Sequence, residues 1–332
     1  MAARRPARGR PGASRSGGGR PSSGQPKGAA GRGRRTGSAS SGAPRSRGAG
    51  RTGAVKPSSS SDRGDKRGRA TALGSSRDKK SDERDDLGGT QIEGRQAVRE
   101  LLIAGKRRVH EVWIANERDT SDVVEDIVQL ARANRVPVVE VSRKKLDYAA
   151  RSEAPQGVLA RADALMPVNF DVLVKRRPGR APFLVAVDGV TDPGNLGAIL
   201  RCCDGAGVDG VVLPRHRSVH VTPTTAKASV GACEHVPMAL VGGLPTALTK
   251  MRELGIWVVG LDDASDKSLF DLGDLATEGI CLVLGAEGAG LSRLVRERCD
   301  VIVSIPMRGR LSSLNVSTAA ALATYEVARH RR

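Results

Sequence analysis

From residue 90 onward, apolar positions recur with the spacing of helices and strands. Before it they hardly recur at all. Over 93–104, Ala97, Val98, Leu101 and Leu102 fall on one face and predict a helix closed by Gly105. Alternation over 109–115 predicts a strand. Ser121 stands where it can cap a helix over 122–134. A strand over 136–141, a helix over 143–150 and a strand over 157–161 complete a small α/β module, 90–163. Residues 164–182 read as a linker with little regular structure at its end.

The pattern then changes. Continuous apolar runs at 183–187, 208–213, 256–261, 280–284 and 301–305 suit strands buried on both faces. Helical stretches at 195–206, 244–254, 290–297 and 315–330 separate them. This alternation predicts a second α/β domain over 183–332, built on a largely parallel sheet. Ligands on such sheets sit at the carboxyl ends of strands.

Charge divides the chain differently. Residues 1–89 hold 22 basic and seven acidic residues, a net +15 of the chain's +18. They also hold 19 of the 40 glycines and no Phe, Tyr or Trp. So few large apolar groups cannot offset the entropy of ordering, which predicts a disordered basic tail over 1–89. Such a tail binds phosphate backbones without sequence preference, or serves as a solubilising extension. Two further basic steps, Lys106-Arg107-Arg108 and Lys175-Arg176-Arg177, are candidate RNA phosphate contacts, the first equally readable as a solvated turn. No apolar run approaches the roughly 18 residues of a membrane span, and no secretory pattern opens the chain. The five cysteines form no CxxC pair and fit reduced thiols in a cytoplasmic protein. Neither they nor the five histidines show metal-ligand spacing, so no metal is expected.

Candidate chemistry gathers in three turns that follow predicted strands. The first, 188–201, contains Asp192-Pro193-Gly194, then Asn195 as expected helix cap, and Arg201 six residues on. The second, 284–291, has three glycines that let a ligand approach the backbone. Its GxxGxG spacing is not a dinucleotide fingerprint, and Glu287 would repel a pyrophosphate. A zwitterionic or cationic ligand meets no such conflict. The third, 305–319, offers Ser313, Asn315 and Ser317 ahead of a small-residue helix. No His stands in a pattern that would make Ser313 an acyl-transfer nucleophile.

In order, DPGNxGxxxR, LGxEGxGL and IPMxGxxxSLNVSxA resemble the three signature motifs of the SpoU/TrmH family. These are RNA 2′-O-ribose methyltransferases of the SPOUT superfamily, and the chain looks most like the bacterial enzymes that methylate guanosine in 23S ribosomal RNA. Residues 222–236 resemble the family's central stretch, and GxxAVxEL after Glu93 resembles the start of its L30e-like substrate-binding domain. The basic tail departs from the common pattern. The resemblance implies a trefoil-knotted catalytic domain, S-adenosyl-L-methionine as cofactor, and a homodimer with its active site at the subunit interface. It implies cofactor contacts at Leu284, Gly285, Ile305, Met307 and Leu314, and catalytic positions at Asn195, Arg201, Glu287, Ser313 and Asn315. A transfer RNA guanosine or a ribosomal adenosine is an alternative substrate. A non-catalytic RNA-binding or ribosome-assembly factor is the alternative of another class.

Overall fold

The computed structural model describes residues 86–116, 121–175, 177–216 and 219–331. Most of the expected tail and Arg176 lie outside the described residues. The described chain starts before residue 90: Leu87 is 1% exposed and exchanges backbone hydrogen bonds with Leu165 and Val221. The tail boundary expected at 89 therefore moves back, because one buried leucine and four backbone hydrogen bonds to Leu165 and Val221 hold 87–89.

The small module comprises β1 (Gln91–Glu93), α1 (Arg95–Ala104), β2 (Val109–Ala115), α2 (Asp122–Ala133), β3 (Val138–Val141), α3 (Arg143–Ala149) and β4 (Val158–Ala162). Its sheet order is β1-β4-β2-β3, with only β2 and β3 parallel. β1 was not expected. Glu93, assigned above to the first helix, ends a strand instead, and Gly94 at φ 94° turns the chain into α1. The Glu93 carboxylate is buried and accepts from the Arg151 and Ser152 backbone amides at 2.7 and 3.0 Å. As expected, Gly105 closes α1 in the left-handed region. Ser121 precedes α2, but its hydroxyl accepts from Arg95 rather than from a backbone amide of that helix.

The second module begins with α4 (Phe170–Leu173), a turn of helix inside the expected linker. Then come β5 (Phe183–Val187), α5 (Pro193–Ala206), β6 (Gly210–Pro214), α6 (Pro223–Ala228) and β7 (Met238–Val241). They are followed by α7 (Leu244–Glu253), β8 (Trp257–Leu261), β9 (Ile280–Leu284), α8 (Arg293–Arg296), β10 (Val301–Val303) and α9 (Val316–His330). The strands form one parallel sheet, ordered β10-β8-β9-β5-β6-β7.

The continuous apolar runs have the expected cause. In β5, Phe183, Val185 and Val187 join one core, and Leu184 and Ala186 join another on the opposite face. The first core also contains Ile92, Val98 and Leu101, so it runs without a break into the small module. From β5 the chain moves outward through β6 and β7, then crosses back to β8, β9 and β10 on the other side. A crevice opens at such a reversal, beyond the carboxyl ends of the strands. Among the described residues no helix is long and apolar enough to cross a membrane.

Candidate active site

Three turns leave the carboxyl ends of β5, β9 and β10 and meet. In the first, Asp192 is the cap of α5: its Oδ1 accepts from the Asn195 backbone amide at 2.6 Å. This corrects the expectation that Asn195 caps the helix. The correction matters because it leaves the Asn195 side chain available. Its Nδ2 donates to Glu287 Oε2 at 3.4 Å, and its Oδ1 accepts from Asn315 Nδ2 at 3.0 Å. Asn315 caps α9, with its Oδ1 accepting from the Ser317 amide at 2.8 Å and hydroxyl at 2.6 Å. A string of oriented amides thus runs from α9 through Asn315 and Asn195 to Glu287, one residue from each turn.

Behind the string lies a cavity of about 410 Å³. Leu261, Leu284, Val303, Ile305 and Met307 supply apolar wall; Gly285 to Gly290 supply backbone; Ser313 and Leu314 close one side. The second turn folds back on itself, with Ala286 and Gly290 exchanging both backbone hydrogen bonds. A Cβ on Gly285 would sit 2.3 Å from the Gly290 carbonyl carbon, so that closure requires glycine there. The same closure explains why α8 starts only at Arg293, not near 290 as expected.

The five residues expected at the cofactor, Leu284, Gly285, Ile305, Met307 and Leu314, all line this cavity, as do Glu287, Ser313 and Asn315. Asn195 stands at its edge through the amide string. Arg201 does not line it. It lies six residues further along α5 and is exposed. Within the basic step 106–108, Arg107 is taken up inside the fold. Arg107 is buried against Glu234, Lys106 donates to the His235 carbonyl, and Arg108 is exposed. Lys175 and Arg177 are exposed.

Sequence reasoning missed three carboxylates. Asp188 Oδ2 accepts from the Ser292 amide at 2.7 Å and so ties the first turn to the segment after the second. Asp262 and Asp263, just past β8, line the cavity, and Asp262 pairs with Arg296. Their one signal was position at a strand's carboxyl end. Among the described residues no His, Cys, Asp and Glu group is arranged to hold a metal ion. Burial pushes the Cys233 and Cys299 thiols up to about 12, which suits inert packing groups rather than nucleophiles.

Residues 182–325 match the SpoU rRNA Methylase family, and residues 91–168 match the family described as RNA 2′-O ribose methyltransferase substrate binding. A putative TrmH family tRNA/rRNA methyltransferase of Bacillus subtilis is 39% identical over 241 residues, covering 72% of this chain and 94% of that protein. The chain belongs to the SpoU methylase family. The 23S rRNA (guanosine-2′-O-)-methyltransferase RlmB of Shewanella oneidensis is 40% identical over 244 residues, covering 73% and 97% of the two chains. The crystal structure of the SpoU methyltransferase AviRb from Streptomyces viridochromogenes, in complex with AdoMet, superposes with a TM-score of 0.60 at 28% identity. That match covers 73% of this chain and 89% of AviRb. Within this SpoU frame the cavity lies wholly in the methylase segment, and the buried Arg107–Glu234 pair joins the two matched segments.

Proposed function

We propose that this protein transfers the methyl group of S-adenosylmethionine to the ribose 2′-hydroxyl of a guanosine in 23S ribosomal RNA. The observation that carries this reading is the Asn315–Asn195–Glu287 string at the mouth of the cavity, in a chain of the SpoU family. The cavity fits the cofactor in chemistry. Its apolar walls suit an adenine ring. Among the described residues its lining includes Asp262, Asp263 and Glu287 but no Lys or Arg, which suits a sulfonium cation better than a pyrophosphate.

When bound, S-adenosylmethionine supplies the electrophilic methyl group. This chain's residues must bring the ribose hydroxyl in line and favour loss of its proton. Backbone at Leu284, Gly285, Ile305, Met307 and Leu314 holds the cofactor. Asn195 and Asn315 present fixed amides toward the ribose, and Glu287 anchors the string to the glycine turn. Arg201 holds phosphate and stabilises the developing alkoxide. A guanidinium with a pKa above about 12 is a costly free base, so the proton passes to a neighbouring phosphate or to water.

The same reading includes a homodimer. Arg201 lies outside the cavity of its own chain, so a second chain completes the site. Leu311, 76% exposed, and Leu322 and Tyr325 on α9 offer apolar surface for it. The trefoil knot of the catalytic domain rests on the family resemblance. Lys175, Arg176, Arg177 and the basic tail serve as RNA phosphate contacts. Deleting residues 1–85, which spares the buried Leu87, should weaken RNA affinity and lower its salt slope while cofactor binding persists.

The deciding experiment maps ribose methylation in total RNA from cells with and without the protein. A single 23S guanosine that loses its mark supports the reading. A lost mark on transfer RNA or on an adenosine redirects it. Near-normal tritiated-methyl transfer by Arg201→Ala would reject the role given to that side chain.

A further inference from the structure

The small module sends the middle residue of its most basic turn, Arg107, into the seam with the catalytic module, while Lys106 and Arg108 on either side are exposed. The Arg107 side chain is 5% exposed and faces Glu234, which is 1% exposed. Its Nε and Nη2 donate to the two carboxylate oxygens at 3.0 and 2.5 Å. Its Nη1 donates to the carbonyls of Gly89 and Asp163 at 2.5 and 2.6 Å, at the entry to and exit from the small module. Around this pair, His235 lies 2.9 Å from Glu100 and Lys227 reaches the Glu153 carbonyl.

Glu234 ends a short turn, Ala232–Glu234, just after α6. The α6 segment is also the floor on which α5 rests. A Cβ on Gly197 would sit 2.6 Å from both the Ala228 Cβ and the Thr225 carbonyl, so the two segments touch backbone to backbone. Asn195 stands two residues before Gly197 and Arg201 four residues, about one turn, after it. The small module is therefore fastened to the same piece of chain that seats the reacting end of α5. An apolar pair of similar volume would adhere equally well. What a guanidinium fork on a carboxylate adds is one angle and one register.

We infer that Arg107 and Glu234 form a fixed joint that sets the offset between the RNA-binding module and Asn195 and Arg201. Arg107 is thus a positioning residue for the RNA, an assignment that rests on the methyltransferase reading above. RNA captured by the small module reaches the cavity in one register because the joint does not turn.

The test compares Arg107→Gln, Arg107→Lys and the half-exposed pair Glu100→Ala/His235→Ala with the wild type. Calorimetry gives the S-adenosylmethionine Kd, filter binding gives the RNA Kd, and tritiated-methyl transfer gives kcat. The joint predicts both Kd values within about threefold of wild type and kcat down about tenfold or more, since ~1 Å of misplacement costs up to ~10²-fold. Arg107→Lys, which keeps the charge, should recover part of kcat. A kcat within about twofold of wild type overturns the joint, and so does cofactor affinity lost in step with kcat. Should Arg107→Gln not fold, the Glu100→Ala/His235→Ala variant is judged by the same two criteria. Wild-type protein inactive on every RNA overturns the methyltransferase reading and the joint with it. Active wild type with unaffected variants overturns the joint alone.

Discussion

The side-chain amide of Asn315 donates to the side-chain carbonyl of Asn195 at 3.0 Å, across 120 positions of chain. That bond joins the cap of the last helix to the first turn of α5. Its consequence is that neither amide is free to rotate. Replacing Asn315 with Ala removes the bond and the α9 cap together. The expected result is a fall in kcat of roughly 10- to 100-fold, equivalent to about 1.4–2.7 kcal/mol at the transition state. Initial rates with tritiated cofactor measure it, and cofactor affinity by calorimetry should change far less.

Gly285→Ala probes the other side of the cavity. The added methyl meets Gly290 and Leu291 backbone at 2.3–2.6 Å, so the Ala286–Gly290 closure must open. The S-adenosylmethionine Kd should rise by about tenfold or more, roughly 1.4 kcal/mol. Calorimetry reads the change, with circular dichroism showing the fold retained.

Arg331 offers a prediction about stability alone. Its guanidinium donates to the carbonyls of Ala276, Ala181 and Pro182 at 2.7, 2.8 and 3.3 Å, and to that of Glu278. It also stacks 4.9 Å from the Phe183 ring. Burial holds its pKa below the usual arginine value. Arg331→Ala should cost about 2–3 kcal/mol, from orphaned carbonyls and the lost cation–π contact. For a folded unit of this size that lowers Tm by roughly 4–10 °C in calorimetry. The cofactor Kd should stay at its wild-type value.

Acid should act on the same helix end. Arg329 hydrogen-bonds both Glu326 oxygens at 2.6 and 3.1 Å, and His330 adds a contact at 3.2 Å. These partners hold the Glu326 carboxyl below its ordinary pKa despite burial, which opposes them. A lowered folded pKa means the contribution is complete above the unfolded carboxylate range and is lost as pH falls through the folded value. The stability difference between wild type and Glu326→Gln should be flat above about pH 5 and shrink below about pH 4. Denaturant titrations across that range measure it.

The sequence was most legible where one face or both faces of an element are apolar. β5 and β9 fall where the runs at 183–187 and 280–284 put them. β7, four residues behind Pro237, and α6, opened by a threonine cap within TPTTAKA, carried too little periodicity to find. Choosing between Asp192 and Asn195 as cap needed coordinates, since both side chains can serve. The turns that form the cavity were visible through their glycines and amides. The fate of Arg107 was not, because its partner lies 127 positions away and a basic turn looks the same in sequence whether wet or buried.

One apolar core threads both modules, from Ile92 and Leu101 to Ile199 and Val327. Cutting the chain between the two matched segments would strip water-shy surface bare on each side. The halves should therefore melt as one cooperative unit, a single calorimetric peak whose van't Hoff and measured enthalpies agree. The RNA-recognition half is then not an exchangeable cassette but part of what keeps the catalytic half folded.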